Sequence, residues 1–66
     1  MPGTYRISEM VGTSPVSFAE AVKVAVAEAG KTIRQMDWFE VEEMRGHIKE
    51  GNVDEFQVKI KVGHRL

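Results

Sequence analysis

Along residues 4–11 the apolar side chains Tyr5, Ile7 and Val11 share one parity, while Arg6, Ser8 and Met10 take the other. That is the period of a half-buried strand, with its apolar parity turned to the core. Gly12-Thr13-Ser14-Pro15 then interrupts the alternation with residues that turn chains and start helices. Two N-caps compete. Ser14 would place Pro15 at the first helical position, whereas Ser17 and Glu20 spell the S-x-x-E capping box, and we read a helix under way from Ser17. Phe18, Val22, Ala25, Ala29, Ile33 and Met36 recur at spacings of three and four, forming one apolar stripe with Glu20, Lys23, Lys31 and Arg34 mostly away from it. Gly30 costs about 1 kcal/mol relative to Ala inside a helix, but the stripe continues past it. The pattern predicts a helix to about Gln35.

From Met36 to Lys49 the period returns to two, with a change of parity: Phe39 and Val41 are apolar at odd positions, Met44 and Ile48 at even ones. One extra residue at Glu42-Glu43, a β-bulge, keeps all four on the buried face. Glu50-Gly51-Asn52 reads as a three-residue hairpin loop, after which Phe56, Val58, Ile60 and Val62 alternate with Gln57, Lys59, Lys61 and Gly63.

The expected fold is therefore α+β with the order β-α-β-β, a single domain over residues 1–66. The crossover helix sets the first two strands parallel, and the third runs against both. Placing the third between them gives a three-stranded antiparallel sheet of order 1-3-2 packed on one helix. The helix covers one face. The other carries Trp38, Arg45, Gln57, Lys59, Lys61 and Arg65. With a three-residue loop, Lys49 faces Val53 and Arg45 faces Gln57; past the bulge, Phe39 faces Val62 and Trp38 faces Gly63.

Composition changes this picture in two ways. At 66 residues a domain buries only about 60% of the surface that its unfolded chain exposes. Below roughly 70 to 80 residues, stability usually needs disulfides, metal, exceptional packing or self-association. The chain has no Cys, which removes the first route and fits a reducing cytoplasm. A metal site would have to use His47, His64 and carboxylates, which are not arranged as a ligand set, so none is expected. Self-association remains. A net charge of −1 gives no pull toward nucleic acid or anionic membrane. No apolar run reaches membrane-span length and no signal-like segment opens the chain, so a cytoplasmic protein is expected.

The open face holds the candidate chemistry. Trp38 offers a flat aromatic surface, and Gln57 offers an acceptor and donors in one plane, suited to an imide or pyrimidine edge. Arg45 beside it could orient the amide or meet an anionic oxygen. Trp38 and Gln57 are about 20 Å apart at roughly 3.3 Å per residue, so a composite pocket needs a second subunit. Residue types alone leave two readings open, a stacked ligand or simple interface packing on a solvated face.

Val11-Gly12-Thr13-Ser14-Pro15, Asp37-Trp38-Phe39-Glu40-Val41, Arg45-Gly46-His47-Ile48, Phe56-Gln57-Val58 and Lys61-Val62-Gly63-x-Arg65-Leu66 resemble the dodecins in order and spacing over nearly the whole chain. The resemblance implies a non-enzymatic flavin-binding protein, holding FMN or riboflavin, that assembles as a hollow homododecamer. In that family two flavins stack at a two-fold axis between a Trp from each subunit, which matches Trp38. The family glutamine on the pyrimidine edge matches Gln57, and Asp37 and Arg45 fall at positions lining the same site. The implied role is flavin storage and sequestering. Some bacterial members also hold coenzyme A, for which Arg6, Thr32, Arg34 and Arg65 are the candidates here. One position departs from the pattern: many dodecins have Phe where this chain has His64, whose charging in a buried contact would make assembly pH-sensitive.

Two rivals stand beside this reading. Met1-Pro2 on a short β-α-β chain resembles the small tautomerases, whose amino-terminal Pro acts as a base, but Gly3 and Thr4 follow before any strand-like residue. The second rival is a ligand-free oligomeric scaffold in which Trp38 packs against its own symmetry mate.

Overall fold

The computed structural model describes residues 2–66; Met1, and with it the question of a free Pro2 terminus, lies outside them. Four elements follow in order: β1 (Tyr5–Ser14), α1 (Phe18–Ala29), β2 (Met36–Lys49) and β3 (Asn52–Arg65). β3 lies between β1 and β2 and runs antiparallel to both, giving the order β1-β3-β2. The fold class and strand order read from the sequence are those observed.

α1 starts where the capping box places it. The Ser17 hydroxyl accepts from the Glu20 N–H at 3.0 Å, satisfying one of the four free donors of the first turn. The helix ends earlier than its stripe suggests, at Ala29 instead of about Gln35, with Gly30 as its cap. Beyond it Lys31 donates to Glu28 and Thr32 to Ala29, tight turns that leave the helical path, yet Ile33 still donates to Ala29 at 2.8 Å. That last bond keeps Ile33 half-buried, which is why the apolar period outlives the helix. Gln35, at φ 56°, then reverses the chain into β2, and its carbonyl accepts from the Arg65 N–H at 3.1 Å.

The core is built on small residues. Ala21, Ala25 and Ala29 are the buried stripe of α1, set on Val58, Ile60 and Val62 of β3. Beneath them on β1 sit Gly12 and Ser14, both buried. A Cβ on Gly12 would stand 2.7 Å from the Ala25 Cβ and collide with the Ala21 carbonyl oxygen. Close approach here decides which way β1 faces. Met10, Gly12 and Ser14 point to the helix, and Tyr5, Ile7 and Val11 point to the open face, each at least one-third exposed. The expectation that the apolar parity of β1 faces the core is thus reversed, because a helix seated on its alanines tolerates only small side chains below it.

The hairpin loop also differs from the expected three residues. Glu50 and Gly51, with φ of 51° and 79°, make a two-residue turn of the type I′ hand, and Lys49 faces Asn52 instead of Val53. An extra residue on β3, Asp54, lies between the pairs Ile48–Val53 and His47–Glu55. Tight turn and bulge together give the same net offset as a three-residue loop. Arg45 consequently faces Gln57, Phe39 faces Val62 and Trp38 faces Gly63, as read from parity. The bulge between Val41 and Glu43 is present; it turns Glu42 onto Lys59 and Lys61 at 3.8 and 3.5 Å.

α1, about 18 Å long at 1.5 Å per residue, lies over β1 and β3 and leaves β2 bare beyond Met36, which packs against the core. Phe39, Val41, Met44 and Ile48 share the helix side of the sheet but are all exposed, Ile48 at 71%. The expected burial of these four is not supplied within one protomer.

Candidate functional site

Trp38 owes its position to a second bulge on β2. Asp37 is the extra residue between the pairs Met36–His64 and Trp38–Gly63, and a bulge of this kind re-aims the side chains next to it. The indole lies across Gly63, occupying the space that a side chain there would take. The ring itself fills the space opposite Gly63. Tyr5 of β1 reaches over from the other side, its ring centroid 5.0 Å from that of Trp38 at 58°. Arg65 follows Tyr5, with Cζ 5.8 Å from the phenol centroid and Nη1 donating to Oη at 3.4 Å. The indole is held on two sides and still 39% exposed, which leaves surface for a flat guest. On the helix side of the sheet, Val26, Met36, Phe39 and Val62, with Asp37 and Trp38 at the edge, line a cavity of about 190 Å³.

A second polar group stands further along the same face. Arg45 Nε donates to Gln57 Oε1 at 3.2 Å, and Arg45 Nη1 donates to Glu43 Oε1 at 3.2 Å. Gln57 Nε2 donates to Glu55 Oε1 at 2.9 Å. Arg45 thus orients the Gln57 amide in the way its position allowed. Gln57 lies six residues from Gly63 along β3, about 20 Å at 3.3 Å per residue. Trp38 and Asp37 are together at one end of the face, Arg45 and Gln57 are together elsewhere, and no single protomer joins the two.

The other candidate residues belong to three elements that meet near the end of β3, where the Gln35 carbonyl next to Arg34 accepts from the Arg65 N–H and Arg6 pairs with His64. Arg65 lies on the open face with Tyr5, Arg6 takes the opposite parity beside His64, and Thr32 and Arg34 belong to the connection between α1 and β2. His64 is half-buried on the helix side, its Nε2 3.0 Å from Ser8 Oγ. His47 meets Asp54 at 3.2 Å. Among the described residues no three His, Asp or Glu side chains come together as a metal ligand set, and no helix is long and apolar enough to cross a membrane.

Both sheet faces therefore carry apolar surface outside the intrachain core: Phe39, Val41, Met44 and Ile48 on one, Tyr5, Ile7, Val11 and Trp38 on the other. The dodecin family model matches residues 4–66. The chain belongs to the dodecin family. It is 48% identical to the dodecin of Thermus thermophilus over 66 residues, spanning 100% of this chain and 96% of that relative. Among solved dodecins, that of Streptomyces coelicolor is 50% identical, with a TM-score of 0.95 over 97% of this chain and 91% of its own. The dodecin of Streptomyces davaonensis is 41% identical, with a TM-score of 0.96 over 100% and 97%.

In this member of the dodecin family two neighbours of the candidate residues escaped the sequence reading. By its parity Tyr5 belongs to the core, and only the seating of α1 on Gly12 shows that it stands beside Trp38. Glu55 lies two residues before Gln57 on the same side of β3, an i, i+2 relation that alternation alone could have marked.

Proposed function

We propose that this protein binds flavin, as FMN or riboflavin, in stacked pairs between the Trp38 side chains of two-fold related protomers, within a homododecamer that stores and sequesters it. The observation that carries this reading is the placement of Trp38: a partly exposed indole on the open face of a dodecin chain, held by Gly63 and Tyr5 and about 20 Å from Gln57 of its own protomer. The chain's own residues fit the group. Trp38 offers a ring to stack on. Gln57, after its bonds to Arg45 and Glu55, keeps one N–H and one oxygen lone pair for a pyrimidine edge contributed across the interface. Asp37 is the surplus residue next to Trp38 on β2, at the same end of the sheet.

Bound flavin supplies a flat chromophore whose excited state is quenched by stacking; the protein binds, orients and shields it, and we assign no catalytic group. The exposed apolar side chains of β1 and β2 support assembly, because patches of this kind mark protein contacts. The cytoplasm is the compartment we assign to this role. Titration of riboflavin and FMN tests the reading: their emission should be quenched by the wild-type protein and largely retained with Trp38→Ala. Undiminished emission with the wild type overturns it in favour of a ligand-free scaffold, and native mass measures the number of subunits independently.

A further inference from the structure

Four side chains on the open face form one continuous line of hydrogen bonds: Glu43 accepts from Arg45, Arg45 donates to Gln57, and Gln57 donates to Glu55. The chemistry of the two ends differs. A guanidinium can only donate, and an ionised carboxylate can only accept. Turning the Gln57 amide by half a turn would set its NH₂ against Arg45 and its oxygen against Glu55, losing both bonds and opposing like groups. The amide therefore has one orientation, with Oε1 toward β2 and Nε2 toward Glu55.

Resting on the flavin reading above, we infer that Glu55 is a positioning residue: with Arg45 it locks the Gln57 amide so that the site selects rings bearing a free imide N–H beside a carbonyl. The reason is what the lock leaves over. Arg45 occupies one acceptor direction of Oε1 and Glu55 one of the two Nε2 protons. One lone pair and one N–H remain, an acceptor and a donor side by side in the amide plane. They match a ring edge that presents N–H next to C=O. A ring methylated at that nitrogen has no proton for Oε1 and brings a methyl group against it. Without Glu55 only the Arg45 bond to Oε1 holds the amide, which can then swing about that bond and carry Nε2 off the ring edge, so the methylated ring is rejected less well, since a fixed orientation is what gives such a contact its selectivity. Glu55 itself need not touch the ligand. It is half-buried and two residues from Gln57 on the same face.

The test compares riboflavin with N3-methylriboflavin, each titrated by emission quenching against the assembled protein. The wild type is expected to favour riboflavin by about tenfold, the size of one or two lost hydrogen bonds. Glu55→Ala should reduce that preference to about twofold, and Glu55→Gln, whose amide oxygen still accepts from Nε2, should restore most of it. Because both ligands are measured on the same variant, a general loss of stability cancels from the ratio. An unchanged preference in Glu55→Ala overturns the inference while leaving the flavin reading intact. Absence of riboflavin quenching by the wild type overturns both.

Discussion

Gly63 and Trp38 are in direct contact: a Cβ on Gly63 would collide with the indole at Cζ2 and Cε2. The pairing of these residues across β2 and β3 is therefore also the seat of the ring. Gly63→Ala asks nothing unusual of an extended backbone, so its effect falls on the indole, which must lift from the sheet. We expect a shift of the intrinsic Trp emission and a loss of riboflavin affinity of about tenfold or more, read by the two fluorescence signals on the same sample. Unchanged emission would mean that the indole does not rest on Gly63.

Gly12 is the other point of close approach. The Ala21 carbonyl oxygen is backbone and cannot swing aside, unlike the tip of a flexible side chain. Gly12→Ala should force α1 away from β1 and cost about 3 kcal/mol, the upper part of the range for overpacking. Denaturant unfolding at fixed protomer concentration measures this, since the stability of an assembly depends on concentration.

Gly51→Ala should behave differently. No atom lies within 4 Å of a Cβ built there, and the strain comes only from φ of +79°. The expected cost is about 1 kcal/mol, seen as a modest fall in unfolding midpoint with riboflavin quenching unaltered.

Ser17→Ala removes the hydroxyl that accepts from Glu20. A lost N-cap of this kind costs about 1 kcal/mol. Ser17→Asp, which also accepts at that position, should recover most of it in the same unfolding assay.

Much of this geometry could be read from alternation. The pairs Trp38–Gly63, Phe39–Val62 and Arg45–Gln57 follow from parity and one bulge, because a strand's side chains can face only two ways. What escaped reading depends on contacts between elements. The orientation of β1 is set by Ala21 and Ala25 pressing on Gly12, a relation between residues of two elements that no local period expresses. The helix end was hidden because Ile33 keeps its bond to Ala29 after α1 has stopped. The turn at Glu50-Gly51 and the extra Asp54 compensate each other, so a wrong loop length led to the right register. At the site, Trp38, Gln57 and Arg45 are legible as residue types on an open face, whereas Asp37 comes only from the family resemblance. The roles of Tyr5 and Glu55 required knowing what stands beside them.

The interruptions of the β2–β3 hairpin carry one further consequence. β2 is a sheet margin, and a long, flat, apolar margin invites uncontrolled addition of strands from other chains, the route to fibrils. Here regular pairing with β3 is broken into the runs Trp38–Val41, Glu43–His47 and Ile48–Lys49, with Asp37 and Glu42 as the surplus residues of β2 and Asp54 as that of β3. All three are acidic. A growing fibril would need each incoming strand to reproduce the same kinks while stacking carboxylates in register. The kinks that aim the indole are of the kind that make a sheet margin a poor template for added strands.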